Sequence, residues 1–483
     1  MLFRALPLLL LATPALAVEV ELSPGADIRA LTSSISAGDV FIFDDGVYEI
    51  DNNWEIVAPG TEDSKVVFRA APGANPVIRL KENGNRIFVI RDSSHVVVQG
   101  LSFEATDERQ EAGGNGVRIE NSTDITVEDG VVTNTGNSAV VLGGDTARIT
   151  IRSLEIFDTA NGNGIYAGCG DASCWTQDST FENLLIHDIR TYDENQRNDG
   201  IQFGPGCQSN TVRDNVIYGI NRHGITAQST EYGDQNVIEG NVVWDTNGVG
   251  LWIGGAALVR NNIAFNNGSH AFYSENNRGS LENLVVSFNT FALSGSAALR
   301  IEDWTEKPGM VLANNVIANP VGYAVDISDD DIDDGILIST NVVSGLVTGL
   351  DPEAGHFLVG GAYQDFENVD DWNFYPSVTA VGRNAADPSG ETFVPDIDFN
   401  GFERNGNSPT VGAYEYVAGT NPGWLIKQDF KVFEDRTRNS DNTQGGCCKG
   451  GDGDDDGNVE EAIVVLPFIG LGLLARRRRK KRG

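Results

Sequence analysis

The sequence predicts an all-β fold, a right-handed parallel β-helix, from two regularities. Short apolar segments whose fourth residue is most often Asn recur every 21 to 31 residues between positions 130 and 341. A second short apolar segment begins nine residues after each Asn from position 215 to position 315. Repeats of this length with two or three strands each are typical of coils that stack into a β-helix. Parallel crossover connections are right-handed, and this sets the hand of the winding.

Within this fold we predict about ten coils between residues 40 and 344, each paired in parallel with its neighbours. Residues 26–36 place Ile28, Leu31 and Ile35 at helical spacing, so an amphipathic helix is expected to cap the N-terminal end. One Asn per coil is expected to join a hydrogen-bonded ladder at one corner. The members of this ladder are Asn215, Asn241, Asn262, Asn289, Asn315 and Asn341.

The chain divides into five segments. Residues 1–17 are expected to be a signal peptide, residues 18–344 the β-helix, and residues 345–416, which lose the repeat, the coils that close its far end. Residues 417–458 are expected to be a linker with an acidic spacer. Residues 459–483 are expected to be an apolar helix followed by an Arg-rich tail.

Charge and cysteine content argue against two classes of protein. The chain has 34 Lys+Arg against 69 Asp+Glu, a formal net charge of −35, whereas nucleic-acid binding needs clustered cations. The cysteines lack the spacing of a structural zinc site. Cys169, Cys174 and Cys207 follow the same predicted strand in adjacent coils, so two of them are expected to form a disulfide, with the pairing left open. We expect a monomer that does not bind nucleic acid.

Both ends of the chain are typical of an exported protein. Arg4, the apolar residues 8–11 and the small residues up to Ala17 have the order of a secretory signal peptide, with cleavage expected after Ala17. Near the other end, Cys447 and Cys448 precede an acidic spacer, an apolar run of 14 residues and a cluster of seven basic residues. Basic residues stay on the cytoplasmic side of a membrane. The apolar run is shorter than the roughly 20 residues that span a bilayer, which favours a transient transmembrane sorting signal.

This C-terminal pattern resembles the tripartite sorting signals recognised by bacterial intramembrane sortases of the rhombosortase or myxobacterial type. Residues 396–404 and 411–416 are similar to the closing motif of choice-of-anchor β-helix proteins. Residues 37–48 resemble the first coil of alginate-lyase and chondroitinase-B-like polysaccharide lyases. The resemblances imply passage through the export machinery and cleavage by a C-terminal sorting protease. They place the protein on the cell surface or outer membrane of a Gram-negative-type bacterium, anchored through its C-terminus.

Alternation along the second strand of each coil sends one residue per coil outward on one face. Aromatic rings beside polar groups on such a face suit a glycan. The candidate substrate-binding residues on this face are Tyr166, Gln202, Trp252, Tyr273, Glu275 and Arg300, and Glu302 is a candidate catalytic carboxylate. As a glycosidase pair, Glu275 and Glu302 would need carboxyl groups roughly 5 to 9.5 Å apart.

Asp199 and His223 precede the outward strands of neighbouring coils and are the other catalytic candidates. A carboxylate there can orient an imidazole as general base or acid. Arg197 and Arg222 flank them and are candidates to hold a uronate carboxylate. The alternative interpretation is that Asp199 and His223 are turn residues of the repeat. Residues around both are similar to motifs of polygalacturonases, but the paired Asp of that family's intermediate coil is missing, so its mechanism is not carried over.

Asp396, Asp398 and Asn400 resemble the front of a Ca²⁺ loop, although the twelfth position is Asn407 and not Glu. Ca²⁺ is therefore the one candidate cofactor. Together these features predict an exported, surface-anchored β-helix protein that binds an extracellular polysaccharide. Cleavage by a lyase or glycoside hydrolase mechanism stays open at this point, and the alternative is a non-catalytic surface or adhesion protein of the same fold.

Overall fold

The computed structural model describes residues 17–81, 85–106, 114–190, 198–228, 234–277, 281–328, 330–419 and 424–431. Over most of this length the chain winds into a right-handed parallel β-solenoid of about eleven turns with almost no helix, which confirms the predicted fold class. A typical turn contributes one strand to each of three parallel ladders, A, B and C. In one turn Ala257–Arg260 belongs to ladder A, Ile263–Phe265 to ladder B and Phe272–Ser274 to ladder C.

The strands of each ladder stack in the order of the sequence. Ladder A contains Glu19–Leu22, Val40–Phe43, Val66–Ala70, Ser94–Gln99, Thr123–Glu128, Thr150–Arg152, Thr180–Glu182, Thr211–Arg213, Asn236–Glu239, Ala257–Arg260, Leu284–Ser287, Val311–Ala313 and Leu337–Ser339, with the short strands Thr146–Ala147, Thr176–Gln177 and Cys207–Gln208 beside it. Ladder B contains Gly46–Ile50, Pro76–Leu80, Ser102–Ala105, Val131–Thr133, Glu155–Phe157, Leu185–Ile189, Val216–Ile220, Val242–Thr246, Ile263–Phe265, Thr290–Ala292, Val316–Ile327, Asn341–Val347 and Phe357–Val359. Ladder C contains Trp54–Ile56, Arg86–Arg91, Asn115–Glu120, Val140–Gly143, Ile165–Ala167, Ile201–Phe203, Ile225–Ala227, Leu251–Ile253, Phe272–Ser274, Ala297–Ile301 and the second half of Val316–Ile327.

Inward-facing side chains of the three ladders fill one continuous apolar core. Near the N-terminal end, the ring of Phe41 stacks on Phe68 with centroids 4.9 Å apart, and the ring of Trp54 stacks on Phe88 at 4.1 Å. Because each coil is covered by the coils above and below it, burial of apolar surface stabilises the solenoid along its whole length.

The predicted asparagine ladder is confirmed. The six side chains from Asn215 to Asn341 are completely buried. In each step, the Oδ1 atom of one Asn accepts hydrogen bonds from both the backbone N–H and the Nδ2 atom of the Asn in the preceding coil, as in Asn241 to Asn262 at 3.0 and 2.9 Å. The same Nδ2 atoms also donate to backbone carbonyls, as Asn262 does to Ile238 at 2.7 Å.

The N-terminal cap differs from the prediction. Its helix is a single turn, Ile28–Leu31, and Leu31 is 48% exposed and does not face the core. The hydroxyl of Thr32 donates to the carbonyl of Ile28 at 2.7 Å and accepts from the indole Nε1 of Trp54 at 2.8 Å. A hydroxyl that bonds to the preceding turn competes with helix hydrogen bonds, so the Thr32–Ser33–Ser34 run ends the helix before Ile35. The first ladder A strand, Glu19–Leu22, precedes this cap and pairs with Val40–Phe43.

Regular structure is sparse after the last ladder B strand. It consists of the helix Ala362–Asp365, the antiparallel strands Phe366–Asn368 and Asn373–Pro376, and the 3-10 turns Val369–Asp371 and Gly390–Thr392.

Residues 362–419 and 424–431 lie along the outer face of ladder B. The rings of Phe265 and Phe374 lie 4.9 Å apart, and the Arg404 guanidinium donates to Oδ1 of Asn261 at 2.7 Å. The Nζ atom of Lys431, a residue only 2% exposed, donates to the carbonyl of Gly240 at 2.6 Å. Packed structure thus continues to Lys431, beyond residue 416 where the sequence placed the start of a linker.

The cysteine prediction is confirmed and resolved, because Cys169 and Cys174 form the disulfide. Cys207 is a buried free thiol, and burial raises its pKa to about 12. Among the described residues, no helix is long and apolar enough to cross a membrane. The predicted signal peptide up to residue 16, the apolar run at 462–475, Cys447 and Cys448 lie outside the described residues.

Candidate functional site

The predicted outward column of ladder C is present in register. Parallel pairing joins Tyr166 to Gln202, Gln202 to Thr226, and Thr226 to Trp252. It continues from Trp252 to Tyr273, from Tyr273 to Arg300, and from Arg300 to Asp326. In the other direction the column runs through Val141 to Arg118. We call this set, from Arg118 to Asp326, the outward column.

The residues that precede these strands form hydrogen bonds between neighbouring coils. The side chain of Asn163 accepts the backbone N–H of Asp199 at 2.8 Å, and Oδ1 of Asp199 accepts the backbone N–H of His223 at 3.3 Å. The Nδ1 atom of His223 accepts the backbone N–H of Val249 at 3.0 Å. This is the turn role that the sequence offered as the alternative for Asp199 and His223.

Asp199 is completely buried, and both of its carboxylate oxygens lie 3.4 Å from Nη1 of Arg222. A buried carboxylate needs such a partner. Because Nδ1 of His223 accepts a backbone N–H, the neutral imidazole carries its proton on Nε2. When neutral, His223 can therefore donate a hydrogen bond from Nε2, and its role as general base or acid stays a prediction. The catalytic assignment of Asp199 stays a prediction, and Arg197 lies outside the described residues.

Trp252 does not offer the open ring face that the sequence predicted for sugar stacking. The residue is only 9% exposed. The Arg222 guanidinium lies over its ring at 5.3 Å, the Tyr273 ring stacks on it at 6.1 Å, and the His223 ring meets it at 4.9 Å. In-register side chains of a β-helix stack on each other along the axis, so these rings cover one another's faces.

The C-terminal part of the column holds a polar cluster centred on Tyr273. Its hydroxyl oxygen lies 2.7 Å from Oε2 of Glu275 and 2.8 Å from Oε2 of Glu302. Arg300 donates from Nε to the other oxygen of Glu302 at 2.6 Å and forms an ion pair with Asp326. The structure thus brings together all four residues that the sequence assigned to this region.

These contacts change the acidity of the cluster. Burial and the two carboxylates raise the pKa of Tyr273 far above its ordinary value. Burial on its own raises the pKa of Glu302, but hydrogen bonds from Tyr273 and Arg300 outweigh it and hold the pKa of Glu302 below its ordinary value. Glu302 is therefore ionised at neutral pH.

An open cleft of about 350 Å³ lies over the N-terminal part of the column. Arg118 and Tyr166 line it, together with Asn115, Asn137 and Ser138. Four glycines also line it, Gly143, Gly144, Gly168 and Gly170. A Cβ atom added at Gly143 would lie 2.9 Å from Nη2 of Arg118, so a larger residue there would displace that side chain.

Sequence reasoning singled out Tyr166 here but missed Asn115, Asn137 and Ser138. These residues lie on or before the strands of ladder C, where the repeat gives no reason to select them. The available signal was the set of glycines that recurs in two consecutive coils, Gly143, Gly144, Gly168 and Gly170. Residues without side chains in stacked coils indicate a depression in the surface.

The predicted Ca²⁺ turn has a structural role. The carboxylate of Asp398 accepts the backbone N–H groups of Asn400, Phe402 and Glu415 at 2.8 to 2.9 Å. Burial raises the pKa of Asp398 above its ordinary value, although these N–H groups and Arg404 act in the opposite direction. Within the described part of the chain, no three His, Cys, Asp or Glu residues are grouped so that they can hold a metal ion. Calcium binding at Asp396, Asp398 and Asn400 stays a prediction.

Comparison with known proteins agrees with this architecture. A family model described as a right-handed β-helix region matches residues 78–232 and 161–343. Because these matches cover more than half of the chain, the protein belongs to the right-handed β-helix family. A search among curated protein sequences gives no significant match.

Two solved structures illustrate the likeness. The pectate lyase Pel9A has a TM-score of 0.50 and 13% sequence identity, over 82% of this chain and 96% of that one. A mannuronic acid-specific polysaccharide family 6 lyase from human gut microbiota has a TM-score of 0.48 and 16% identity, over 70% and 90% of the two chains. At these identities the likeness concerns the fold.

Proposed function

We propose that this protein binds an extracellular polysaccharide along the outward column of ladder C. The observation that carries the proposal is the register of the column, which places one side chain per coil in a continuous row from Arg118 to Asp326. Coils repeat at about 4.8 Å, close to the roughly 5 Å repeat of an extended glycan. Successive sugars can therefore meet equivalent positions of successive coils. The pectate lyase with the same fold supports a polymeric glycan as the ligand.

The open cleft beside Arg118 and Tyr166 is the proposed entry to this binding face. It combines an aromatic ring with guanidinium, amide and hydroxyl groups, the combination that glycan sites use. Gln202 lies on the coil after Tyr166 and is bonded back to the coil of the cleft, because its Oε1 atom accepts from Nδ2 of Asn163 at 3.0 Å. The bound polymer would then run from the cleft toward Tyr273 and Arg300.

Glycoside hydrolysis at Glu275 and Glu302 is a second candidate function, favoured by one observation. Both carboxylates contact the single hydroxyl of Tyr273, at 2.7 and 2.8 Å. The distance between the two contacting carboxylate oxygens therefore cannot exceed the sum of these two distances. Retaining glycosidases hold two carboxyl groups about 5 to 5.5 Å apart, and inverting ones about 6.5 to 9.5 Å. The closer arrangement favours a retaining mechanism over an inverting one.

The proposal extends to export and display on the cell surface, with anchoring through the C-terminus. The Cys169–Cys174 disulfide supports export, because disulfides persist in oxidising compartments and are rare in the cytosol. The signal-peptide pattern ending at Ala17 and the sorting-signal pattern after Cys448 support the route.

The test is incubation of the purified protein with uronate and neutral polysaccharides, with and without Ca²⁺. Binding is measured by calorimetry, unsaturated products by ultraviolet absorbance, and hydrolysis by new reducing ends. We expect binding of at least one polymer. If hydrolysis occurs, Glu302→Gln should slow it about 10²- to 10⁴-fold, whereas Glu367→Gln, an exposed control in the C-terminal hairpin, should not. Absence of binding to every polymer would contradict the proposal, and binding without products would leave a lectin-like protein.

A further inference from the structure

Two neighbouring polar atoms of the outward column are buried without a hydrogen-bond partner among the described residues. They are Oγ1 of Thr226 and Nε1 of Trp252. Thr226 is 1% exposed and Trp252 is 9% exposed, and the two positions pair directly in ladder C. Nearly all buried polar groups in native proteins are paired, and an unpaired one destabilises the fold. Two such atoms in adjacent positions of one column therefore indicate a partner that the described part of the chain does not supply.

The groups around these atoms define the partner's chemistry. An indole Nε1 atom can only donate a hydrogen bond, and a threonine hydroxyl can donate one. The Arg222 guanidinium lies over the Trp252 ring at 5.3 Å, and its Nη1 atom lies 3.4 Å from Asp199. The His223 ring lies 4.9 Å from that of Trp252, and when the imidazole is neutral its Nε2 atom can also donate. Because the indole N–H can only donate, the missing partner of Trp252 is an acceptor.

We propose that Thr226 and Trp252 form a subsite that holds an acceptor oxygen of the glycan, best provided by the carboxylate of an acidic sugar. The proposal rests on the proposed function and names the chemical group that this part of the face selects. A carboxylate accepts hydrogen bonds at both oxygens and is attracted by Arg222. A neutral sugar offers hydroxyl oxygens without the charge and is expected to bind more weakly.

The subsite is covered in the free protein, so binding must open it. Tyr166, in the open cleft, lies two coils from Thr226 on the same column, with Gln202 between them. A glycan chain that enters through the cleft reaches Thr226 after two sugar repeats. The hydrogen bonds formed with the glycan then offset the free energy needed to open the subsite. The nuclear magnetic resonance signal of the Trp252 indole N–H reports glycan binding at the subsite directly.

Thr226→Val is the decisive variant, because valine keeps the branched shape of threonine and replaces the hydroxyl with a methyl group. Removing an unpaired buried hydroxyl should raise the melting temperature by about 1–3 °C. The same change should weaken binding of acidic oligosaccharides about three- to tenfold, the effect of one lost hydrogen bond. A gain in stability together with a loss in affinity is the expected mark of a group kept for a ligand.

Thr246→Val is the matched control. Thr246 is buried at 3% exposure on ladder B, and its hydroxyl donates to Oδ1 of Asn267 at 2.9 Å. Its replacement should lower the melting temperature and leave glycan affinity unchanged. If Thr226→Val also lowers the melting temperature, its hydroxyl is already paired within the fold and the proposal is wrong.

A nuclear magnetic resonance titration completes the test. The Trp252 indole N–H signal is assigned by its loss in Trp252→Phe and followed during addition of oligogalacturonate, cello-oligosaccharide or sodium acetate. We expect a downfield shift with oligogalacturonate and with acetate, and a smaller one with the neutral oligosaccharide. Glycan binding that leaves this signal unmoved would overturn the subsite while the proposed function stands. If no oligosaccharide binds, the proposed function fails. The acetate titration then decides whether the subsite exists. A shift of the Trp252 signal with acetate supports the subsite, and an unmoved signal overturns it.

Discussion

His187 lies in a stack of aromatic side chains on the outer face of ladder B. Its ring is nearly parallel to those of Phe157 and Tyr218, with centroids 5.1 Å away on both sides. Its Nδ1 atom lies 2.9 Å from Asp188 and its Nε2 atom 3.2 Å from Glu155. Burial alone lowers the pKa of His187, but the two carboxylates outweigh it, so the net pKa is raised. Both nitrogens face acceptors, which favours the charged imidazolium.

This arrangement predicts a pH-dependent contribution to stability. Since the folded-state pKa of His187 lies above the unfolded value of about 6.5, its contribution is fully present below that pH and is lost as the pH rises through the folded-state pKa. His187→Gln should therefore cost about 1.5–3 kcal/mol at pH 5.5, the range for hydrogen bonds to charged groups, and less at pH 8.5. Denaturant unfolding at both pH values measures the difference.

The control for this prediction is His356→Gln. Nδ1 of His356 accepts the backbone N–H of Asp351 at 3.0 Å in an exposed turn, an arrangement that suits the neutral ring. The cost of His356→Gln should not grow toward acidic pH. An equal cost of His187→Gln at both pH values would contradict the charged pair.

At the scale of elements, register decides which side chains meet. Opposite charges face each other across adjacent strands of ladder A: Glu182 pairs with Arg213, and Glu239 pairs with Arg260 at 2.8 Å. Exposed pairs of this kind contribute little to stability, yet they keep like charges from facing each other. The asparagine ladder is the stronger case, because its side chains are buried and each satisfies backbone groups of neighbouring coils.

Asn262→Leu should destabilise the protein by about 1–3 kcal/mol. Leucine would leave the backbone N–H of Asn241 and the carbonyl of Ile238 buried without their present partners. Thermal and denaturant unfolding provide the measurement. Asn52→Leu, in an exposed turn of the first coils, is the control and should change stability by less than about 0.5 kcal/mol. An unchanged midpoint for Asn262→Leu would mean that the ladder contributes nothing.

The sequence carried enough information for the coils and for the outward column, because a repeat fixes which positions of successive strands pair. It did not contain the environment of Trp252, since side chains that share a column stack on each other and cover their ring faces. It also did not reveal that Nδ1 of His223 accepts the N–H of Val249, because a side-chain rotamer depends on the turn geometry of its own coil. The cleft was missed because glycines draw attention as turn residues and less as missing side chains.

At the scale of the whole molecule, the segment after the last coil was the least predictable. Lys431 forms an ion pair with Asp214 at 3.4 Å, although 217 residues separate them in the sequence. Asp214 is an ordinary position of the repeat, and the segment that contains Lys431 has no repeat that would indicate where it packs. Its return covers Phe265, and Trp244 packs against Trp372 with ring centroids 5.7 Å apart. These outward-facing aromatic residues of ladder B would otherwise be exposed to solvent.

The last prediction concerns processing of the full chain. We expect the protein extracted from the cell surface to begin at Val18 and to end near Cys447 or Cys448. The 14-residue apolar run is too short for a durable span of about 20 residues, which favours its removal after it has positioned the chain. Cleavage at both ends removes nine basic and six acidic residues, so the remaining body is more negative than the formal −35 of the whole chain. Such a charge favours solubility over association.

Intact-mass analysis of the surface protein tests this processing and should show loss of residues 476–482. A double Cys447→Ser, Cys448→Ser variant should retain these residues if the two cysteines direct the cleavage. Surface protein that keeps the basic cluster in the unmodified chain would contradict processing and would mean a plain membrane anchor.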